Sequence, residues 1–248
     1  MKTDLKHLKK LAKDLHDKKA RAERKLFLVE GEVSVLEFLE SAYKLEGILA
    51  TSEFLADHPE VTKSHGGYIL EVKKDELSKL GTLSSNDKAI GIFHQKPEQA
   101  FAMQDEIVLV LSDVNDPGNL GTIIRIADWY GIKTIVASKN TVDVYNPKVI
   151  SATKGSFSRV DVQYEDLGTF LDRYAGVPVL GADLSGENVH TFKYPAKGFL
   201  LMGSESHGIH PDLAQRITQK ITIPRYGSAE SLNVGIATAV ILDNWKRR

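Results

Sequence analysis

The 248-residue sequence predicts an α/β protein in which a parallel-sheet domain follows a smaller α/β unit. Three observations point that way. Through the second half, strand-length apolar segments alternate with helix-length stretches, beginning with the unbroken run Ile107–Leu111 that a strand buried on both faces requires. Residues 1 to about 98 mix the same signals at closer spacing. Between the two regions, His94–Gln104 contains Pro97 and follows no period, so it reads as a linker separating domains at 1–98 and 99–248.

In the first region, Leu5, Leu8, Leu11, Ala12 and Leu15 recur at helical spacing and predict an amphipathic helix over Leu5–His16. Lys25–Glu30 reads as a strand, Val33–Tyr43 as a helix and Leu45–Ala50 as a strand, with Gly67–Leu70 and Ala89–Phe93 as further strands. After Ile107–Leu111, the stripe Leu120, Ile123, Ile124, Ala127 and Tyr130 predicts a helix over Asn119–Gly131. Strands follow at Lys133–Ala137, Pro178–Ala182, Phe199–Met202 and Ile221–Ile223, with helices near Pro147–Thr153, Asp166–Tyr174 and Pro211–Ile217. The closing segment, Ser231–Arg248, is apolar nearly all round, which predicts a helix buried on more than one side. Its Lys246-Arg247-Arg248 ending suits the negative end of a helix dipole.

Composition narrows the function. With 42% hydrophobic and 26% charged residues the chain is that of a globular protein, and the absence of cysteine excludes a disulfide scaffold, thiolate metal sites and a cysteine nucleophile. No apolar run approaches the roughly 20 residues of a membrane span, and no apolar stretch behind the N-terminus marks a signal peptide, so a cytoplasmic location is expected. The net charge of −1 conceals a basic start: residues 1–25 carry ten Lys or Arg against four acids. Such a cluster suits contact with a phosphate backbone, although helical spacing also allows it to be a solvated helix face.

Three glycine-punctuated stretches lie at predicted strand ends, where an open α/β sheet holds its ligand. The first, Asp113-Val-Asn-Asp-Pro-Gly-Asn-Leu-Gly-Thr-Ile-Ile-Arg125, runs into a helix; Asn119 would cap that helix or serve a ligand, and Arg125 lies six residues on. The second, Met202-Gly-Ser-Glu-Ser-His-Gly-Ile209, has the outer glycine spacing of a P-loop but Ile209 and His210 where Lys and Ser or Thr belong. Within it, Glu205 is a base, a ligand acceptor or a turn residue, while His207 and His210 lack a third partner and no metal is expected. The third, Ile223-Pro-Arg-Tyr-Gly-Ser-Ala-Glu-Ser-Leu-Asn-Val-Gly235, offers amides, carbonyls and small polar side chains beside buried sheet, with Ser231 or Asn233 able to cap the last helix. That lining suits an uncharged or zwitterionic ligand better than a polyphosphate. No dinucleotide fingerprint, nucleophile elbow or zincin motif is present.

Taken in order, Asp116-Pro-Gly-Asn-Leu-Gly-Thr-Ile-Ile-Arg-Ile-Ala, Gly203-Ser-Glu-Ser-His-Gly and Ile223-Pro through Ser231-Leu-Asn-Val resemble the three motifs of the SpoU/TrmH family of RNA ribose 2′-O-methyltransferases, in the knotted SPOUT superfamily. The resemblance covers about residues 107–245. Arg21–Gly31, with Phe27-Leu-Val-Glu-Gly31, is similar to the ribosomal-protein-like RNA-binding domain often found in front of it. What the resemblance implies is a C-terminal sheet domain tied in a trefoil knot, S-adenosylmethionine as methyl donor, and a homodimer with the last helix in its interface. By motif position, Met202, Gly203, Ile223, Ser231 and Leu232 would line the donor pocket, with Gly181, Ala182 and Asp183 on its adenosine side.

The resemblance also assigns the catalytic work to Asn119, Arg125, Glu205, Ser231 and Asn233. A guanidinium does not readily lose a proton. Arg125 is therefore expected to clamp a phosphate or the attacking oxygen, with Asn119 and Glu205 holding it in place. Once RNA is the expected partner, Lys18, Lys19, Arg21 and Arg24 become candidate phosphate contacts. Arg225 joins them, standing where many relatives carry an apolar residue, unless it pairs with Glu230. Ribosomal RNA is favoured over transfer RNA. The alternative is a non-catalytic RNA-binding or ribosome-assembly protein on the same scaffold, against which the intact motif set argues.

Overall fold

A computed structural model describes residues 5–83, 86, 88–97, 101–103, 107–205 and 207–247. The sequence boundary at 98/99 lies outside these residues. In chain order the elements begin with α1 (Leu5–Asp14), α2 (Lys18–Arg24), β1 (Leu26–Glu30), α3 (Glu32–Leu39), β2 (Leu45–Ala50), α4 (Ser52–Asp57) and α5 (Pro59–His65). There follow β3 (Ile69–Glu71), α6 (Lys74–Leu80), β4 (Ala89–His94), β5 (Ile107–Leu111), α7 (Pro117–Trp129), β6 (Thr134–Ser138) and α8 (Pro147–Thr153). The remainder is β7 (Asp161–Glu165), α9 (Leu167–Arg173), β8 (Val179–Asn188), β9 (Gly198–Met202), α10 (Pro211–Ala214), β10 (Gln219–Thr222) and α11 (Val234–Lys246).

These elements form two compact units: Met1–Pro97 together with Asp143–Ser158, and Glu98–Val142 together with Arg159–Arg248. The first unit has a mixed sheet in the order β1-β4-β2-β3, with β2 and β3 parallel and the other pairs antiparallel. All five residues of β1 are buried. Its Phe27 ring sits 5.7 Å from Phe38, 4.9 Å from Tyr145 and 6.3 Å from Phe157, so α8 and its flanks complete this core. On the other face, α1 lays Leu8, Leu11 and Ala12, and the turn after it Leu15, against Leu28, Leu49, Ile90 and Ile92. Gly31 turns the chain from β1 into α3 at φ +93°, a conformation that costs glycine little.

Arg21 does not offer its guanidinium to a phosphate. It is only 3% exposed, donates to the carbonyls of Leu15 and His16 at 3.0 and 2.9 Å, and pairs with Asp143 at 2.8 Å. A buried guanidinium needs this many acceptors, and that demand places Arg21 inside the unit rather than on its surface. Lys18 and Lys19 open α2 in solvent, whereas Arg24 pairs with Asp14 at 3.0 Å.

In the second unit six parallel strands run in the order β10-β8-β9-β5-β6-β7. The central strands β5 and β9 are buried throughout and lie in register from Ile107 beside Gly198 to Leu111 beside Met202. From β5 the chain builds outward through β6 and β7, then returns to place β8, β9 and β10 on the opposite side. The sheet order therefore reverses between β5 and β9, and their carboxyl ends open the crevice where such sheets bind ligands. Among the described residues, no helix is long and apolar enough to cross a membrane.

Several elements differ from the sequence expectation for local reasons. The segment predicted as a strand at Gly67–Leu70 starts with a 3-10 turn, Gly66–Tyr68, leaving a strand only at Ile69–Glu71. The helix expected over Val33–Tyr43 stops at Leu39, that over Pro211–Ile217 at Ala214, and the terminal helix starts at Val234 because Asn233 caps it. The helices α2, α4, α5 and α6 and the strand β7 are additions. β7 reads Asp-Val-Gln-Tyr-Glu, a half-buried strand at the sheet edge whose charged ends hide its period.

Candidate active site

The three stretches singled out in the sequence follow β5, β9 and β10. Adjacency of β5 and β9 brings the first two together, and Ser112 N donates to Met202 O at 2.9 Å where they diverge. In the first, Asp116 caps α7 by accepting from Asn119 N at 2.8 Å, with Pro117 at the first helical position. Asn119 is thus not the cap, and its side chain is available for other work. Its Nδ2 donates to Glu205 Oε1, and its Oδ1 accepts from Asn233 Nδ2 at 2.7 Å. Asn233 meanwhile caps α11, its Oδ1 accepting from Gly235 N and Ile236 N at 2.9 and 3.3 Å. One asparagine, one glutamate and a second asparagine therefore link all three loops in a single hydrogen-bonded chain.

The second loop is folded on itself. Ser204 and Gly208 exchange backbone hydrogen bonds at 3.0 Å each way, and Gly208 adopts φ +67°. A side chain at Gly203 would collide with the backbone of Gly208 and Ile209, so the loop can close this tightly only on glycine. Behind it lies a cavity of about 640 Å³. Met202, Gly203 and Glu205 line it from the second loop, Ile223, Arg225, Ser231 and Leu232 from the third, and Ala182 and Asp183 from β8. Of the pocket residues expected from the motifs, Gly181 alone stands behind the wall: it packs against Ile217, which itself faces the cavity.

Asp183 is held on both oxygens. Lys220 approaches Oδ2 at 2.8 Å, and the Ser185 hydroxyl and backbone N–H reach Oδ1 at 2.7 and 2.8 Å, which together pull its carboxyl down to about 2. Lys220 escaped the sequence reading because it stands in the short, charged strand β10. Arg225 Nη1 donates to Ala229 O at 3.3 Å.

Arg125 is placed differently from the expectation. It lies on the exposed face of α7, outside the cavity lining, and its guanidinium has no hydrogen-bond or ion-pair partner among the described residues. Asn119 and Glu205 do not hold it, because they are engaged with each other and with Asn233. The same face of α7 carries Trp129, 85% exposed, and neighbouring α11 exposes Ile236.

An open parallel sheet with a ligand cavity at the carboxyl ends of β8, β9 and β10, walled by the loops after β9 and β10 and tied to the loop after β5 through polar side chains, defines a small-ligand-binding α/β enzyme domain. The chain belongs to the SpoU rRNA methylase family, whose sequence profile matches residues 106–243, and residues 6–91 match the MRM3-like substrate binding domain. It is 31% identical over 233 residues to the 23S rRNA (guanosine(2553)-2′-O)-methyltransferase RlmP of Bacillus subtilis, covering 93% of this chain and 92% of that protein. A Porphyromonas gingivalis structure assigned to the TrmH family of RNA methyltransferases superposes with a TM-score of 0.86 at 33% identity over 97% of each chain. An AdoMet-bound rRNA methyltransferase from Sinorhizobium meliloti gives 0.85 at 30% identity over all of this chain and 97% of that one. The family resemblance and the α/β class with a substrate-binding domain in front are borne out.

Proposed function

We propose that the protein transfers the methyl group of S-adenosylmethionine to a ribose 2′-hydroxyl of ribosomal RNA, working in the cytoplasm as a homodimer. The hydrogen-bonded chain from Asn233 through Asn119 to Glu205, which lines the cavity, carries this reading. The cavity fits the donor in size and chemistry: about 640 Å³, walled by Met202, Ile209, Ile223 and Leu232, with backbone at Gly203 and a carboxylate at Asp183. When bound there, S-adenosylmethionine supplies an electrophilic methyl group.

This chain's residues then have separable tasks. Gly203, Ile223 and Leu232 hold the donor, with Ala182 and Asp183 at its far end and Met202 and Ser231 alongside. Asn119 and Asn233 fix Glu205, whose second oxygen is available to accept from the ribose hydroxyl as its proton leaves. Arg125, exposed and without a partner among the described residues, is suited to an RNA phosphate, as are the exposed Lys18 and Lys19, with Arg24, paired to Asp14, and Arg225 as further candidates. The substrate-binding domain and the rRNA-modifying relatives favour ribosomal over transfer RNA. A trefoil threading of the C-terminal loops belongs to the same reading, and backbone crowding at Gly203 and Gly186 is what such close passage requires.

The dimer is supported by apolar surface. Trp129 and Ile236 stand exposed, and Val240 half-buried, on the adjoining helices α7 and α11, a combination that a second copy would cover. Light scattering should give twice the chain mass for the native protein and a single chain mass for Ile236→Asp. The activity itself is tested by incubating the protein with labelled S-adenosylmethionine and RNA from a strain lacking the gene. Label should appear in 2′-O-methyl nucleosides after digestion; donor binding without transfer to any RNA would leave the non-catalytic alternative.

A further inference from the structure

The sheet of the first unit has two unlike ends. Strands β1, β2 and β3 all start at one end, where β4 finishes, because β4 runs antiparallel to both its neighbours and β3 runs parallel to β2. At the opposite end two cations are each answered by two carboxylates. Lys88, just before β4, reaches Glu53 and Asp57 at 2.7 and 3.2 Å, and His58 lies between Glu32 and Glu60 at 2.6 and 3.3 Å. That cluster leaves no free cation for a phosphate.

The starting end is built the other way. Lys25 precedes β1 and Lys44 precedes β2; both are exposed, and neither ammonium has an ion-pair partner among the described residues. Leu26 lies opposite His94, and His94 N donates to Lys44 O at 2.9 Å. The two lysines therefore flank the end of β4, two strand spacings or roughly 10 Å apart. One strand further out, Tyr68, 44% exposed, leads into β3. Before it stand Gly66 and Gly67. A side chain on either would meet nothing within 4 Å, and neither adopts positive φ, so neither packing nor turn geometry calls for glycine. What glycine does provide is bare backbone, open to close approach, beside an exposed aromatic residue.

Lys25 adds an independent observation. It closes α2 at φ +54°, in the left-handed region where glycine or asparagine is the usual choice. Gln95 fixes that conformation: its N–H donates to Lys25 O at 2.8 Å, while its Nε2 donates to Arg21 O and Leu26 O at 3.1 and 3.3 Å. A lysine kept where its backbone is strained, and given no acid to pair with, holds its charge for something outside the fold.

We infer that this end of the sheet is where the first unit grips RNA: Lys25 and Lys44 each take a phosphate, and Tyr68 stacks on an unpaired base whose backbone runs over Gly66 and Gly67. The inference takes its partner, RNA, from the methyltransferase reading. Two free ammonium groups in one row suit the phosphates of one strand, and an exposed ring with open backbone at its side suits a base that has left its helix. Every base offers a π-face, so this surface holds a single-stranded or bulged segment without reading its sequence.

Filter binding of the full-length protein to labelled rRNA from a strain lacking the gene, titrated from about 50 to 200 mM salt, tests this. Lys25→Asn combined with Lys44→Gln should weaken binding about tenfold or more at the lower salt and flatten the slope of log affinity against log salt by about two. Asparagine tolerates the left-handed region, so Lys25→Asn alone should melt at or above the native temperature while binding less tightly; a lysine that only capped its helix would give lower melting with binding unchanged. Tyr68→Ala should weaken binding about fivefold or more with the slope unchanged, and Tyr68→Phe should restore it. Native affinity and slope in the lysine double variant would overturn the phosphate contacts, and native affinity in Tyr68→Ala would overturn the stacking. Binding with these dependences but no methyl transfer would instead overturn the methyltransferase reading and leave this surface standing.

Discussion

Two glutamates, one in each compact unit, show how differently the same side chain is employed. Glu30, at the end of β1, is 5% exposed and accepts from Thr82 N on both oxygens, at 2.9 and 3.0 Å, and from Leu83 N at 3.2 Å. Every bond it makes points inward and pins the loop before β4. Glu205 is exposed, lies on a loop beyond a strand end and engages Asn119 with one oxygen. A fully satisfied carboxylate is a staple; one with a spare oxygen beside a cavity is equipped for chemistry. The lesson is that hydrogen-bond accounting separates scaffold from site more sharply than residue type does.

The comparison can be broken at its strongest point through Asn119. Asn119→Ala severs Glu205 from Asn233 and should lower the rate of methyl transfer about 100-fold, as loss of a preorganised polar group does, while calorimetry finds donor affinity nearly unchanged. A rate within threefold of native would remove the Asn233–Asn119–Glu205 chain from the mechanism. Glu30→Ala should act in the opposite sense. It removes the charged acceptor of the Thr82 and Leu83 N–H groups and should cost about 1–3 kcal/mol in chemical denaturation without weakening donor binding.

Acid and alkali sharpen the contrast by smaller amounts. Asp183 has its pKa depressed to about 2 by Lys220 and Ser185, so the stability it contributes is complete above about pH 4 and is lost as the pH falls toward 2. Tyr194, stacked on Trp245 with ring centroids 5.5 Å apart, is pushed up to about 12 by burial. Its neutral form is favoured by folding, so that contribution is complete below about pH 10 and fades as the pH rises toward 12. Melting curves of Asp183→Asn should show a weaker acid dependence with the alkaline limb unchanged, since Asp166 and Asp172 are also held low, and those of Tyr194→Phe a weaker alkaline dependence with the acid limb unchanged.

How much of this was legible beforehand follows from what each residue's neighbours are. Ile107–Leu111 and Pro147–Thr153 match their expected bounds because a fully apolar run and a proline start announce themselves locally. The cavity residues Gly203, Ile223 and Leu232 were reachable through motif position. Arg21 was misread because a buried arginine looks like its exposed neighbours Lys18 and Lys19 until Asp143, 122 residues away, is placed beside it. The sequence leaves Asn119 open between cap and ligand because Asp116, three residues earlier, is an equally good cap. The amphipathic stripe of α7 identified a helix, but Arg125 on its exposed face takes its role from what lies opposite, which no period encodes.

The excursion Asp143–Ser158 has a consequence for biosynthesis. Tyr145 and Phe157 fill the aromatic cluster around Phe27, and Asp143 neutralises the buried Arg21 guanidinium, yet all three leave the ribosome long after the residues they complete. The leading unit must wait, with an unfilled core and an uncompensated charge, until translation has passed residue 158. A fragment cut near residue 98 inherits that vacancy permanently, and the complementary fragment carries an orphaned, sticky insert.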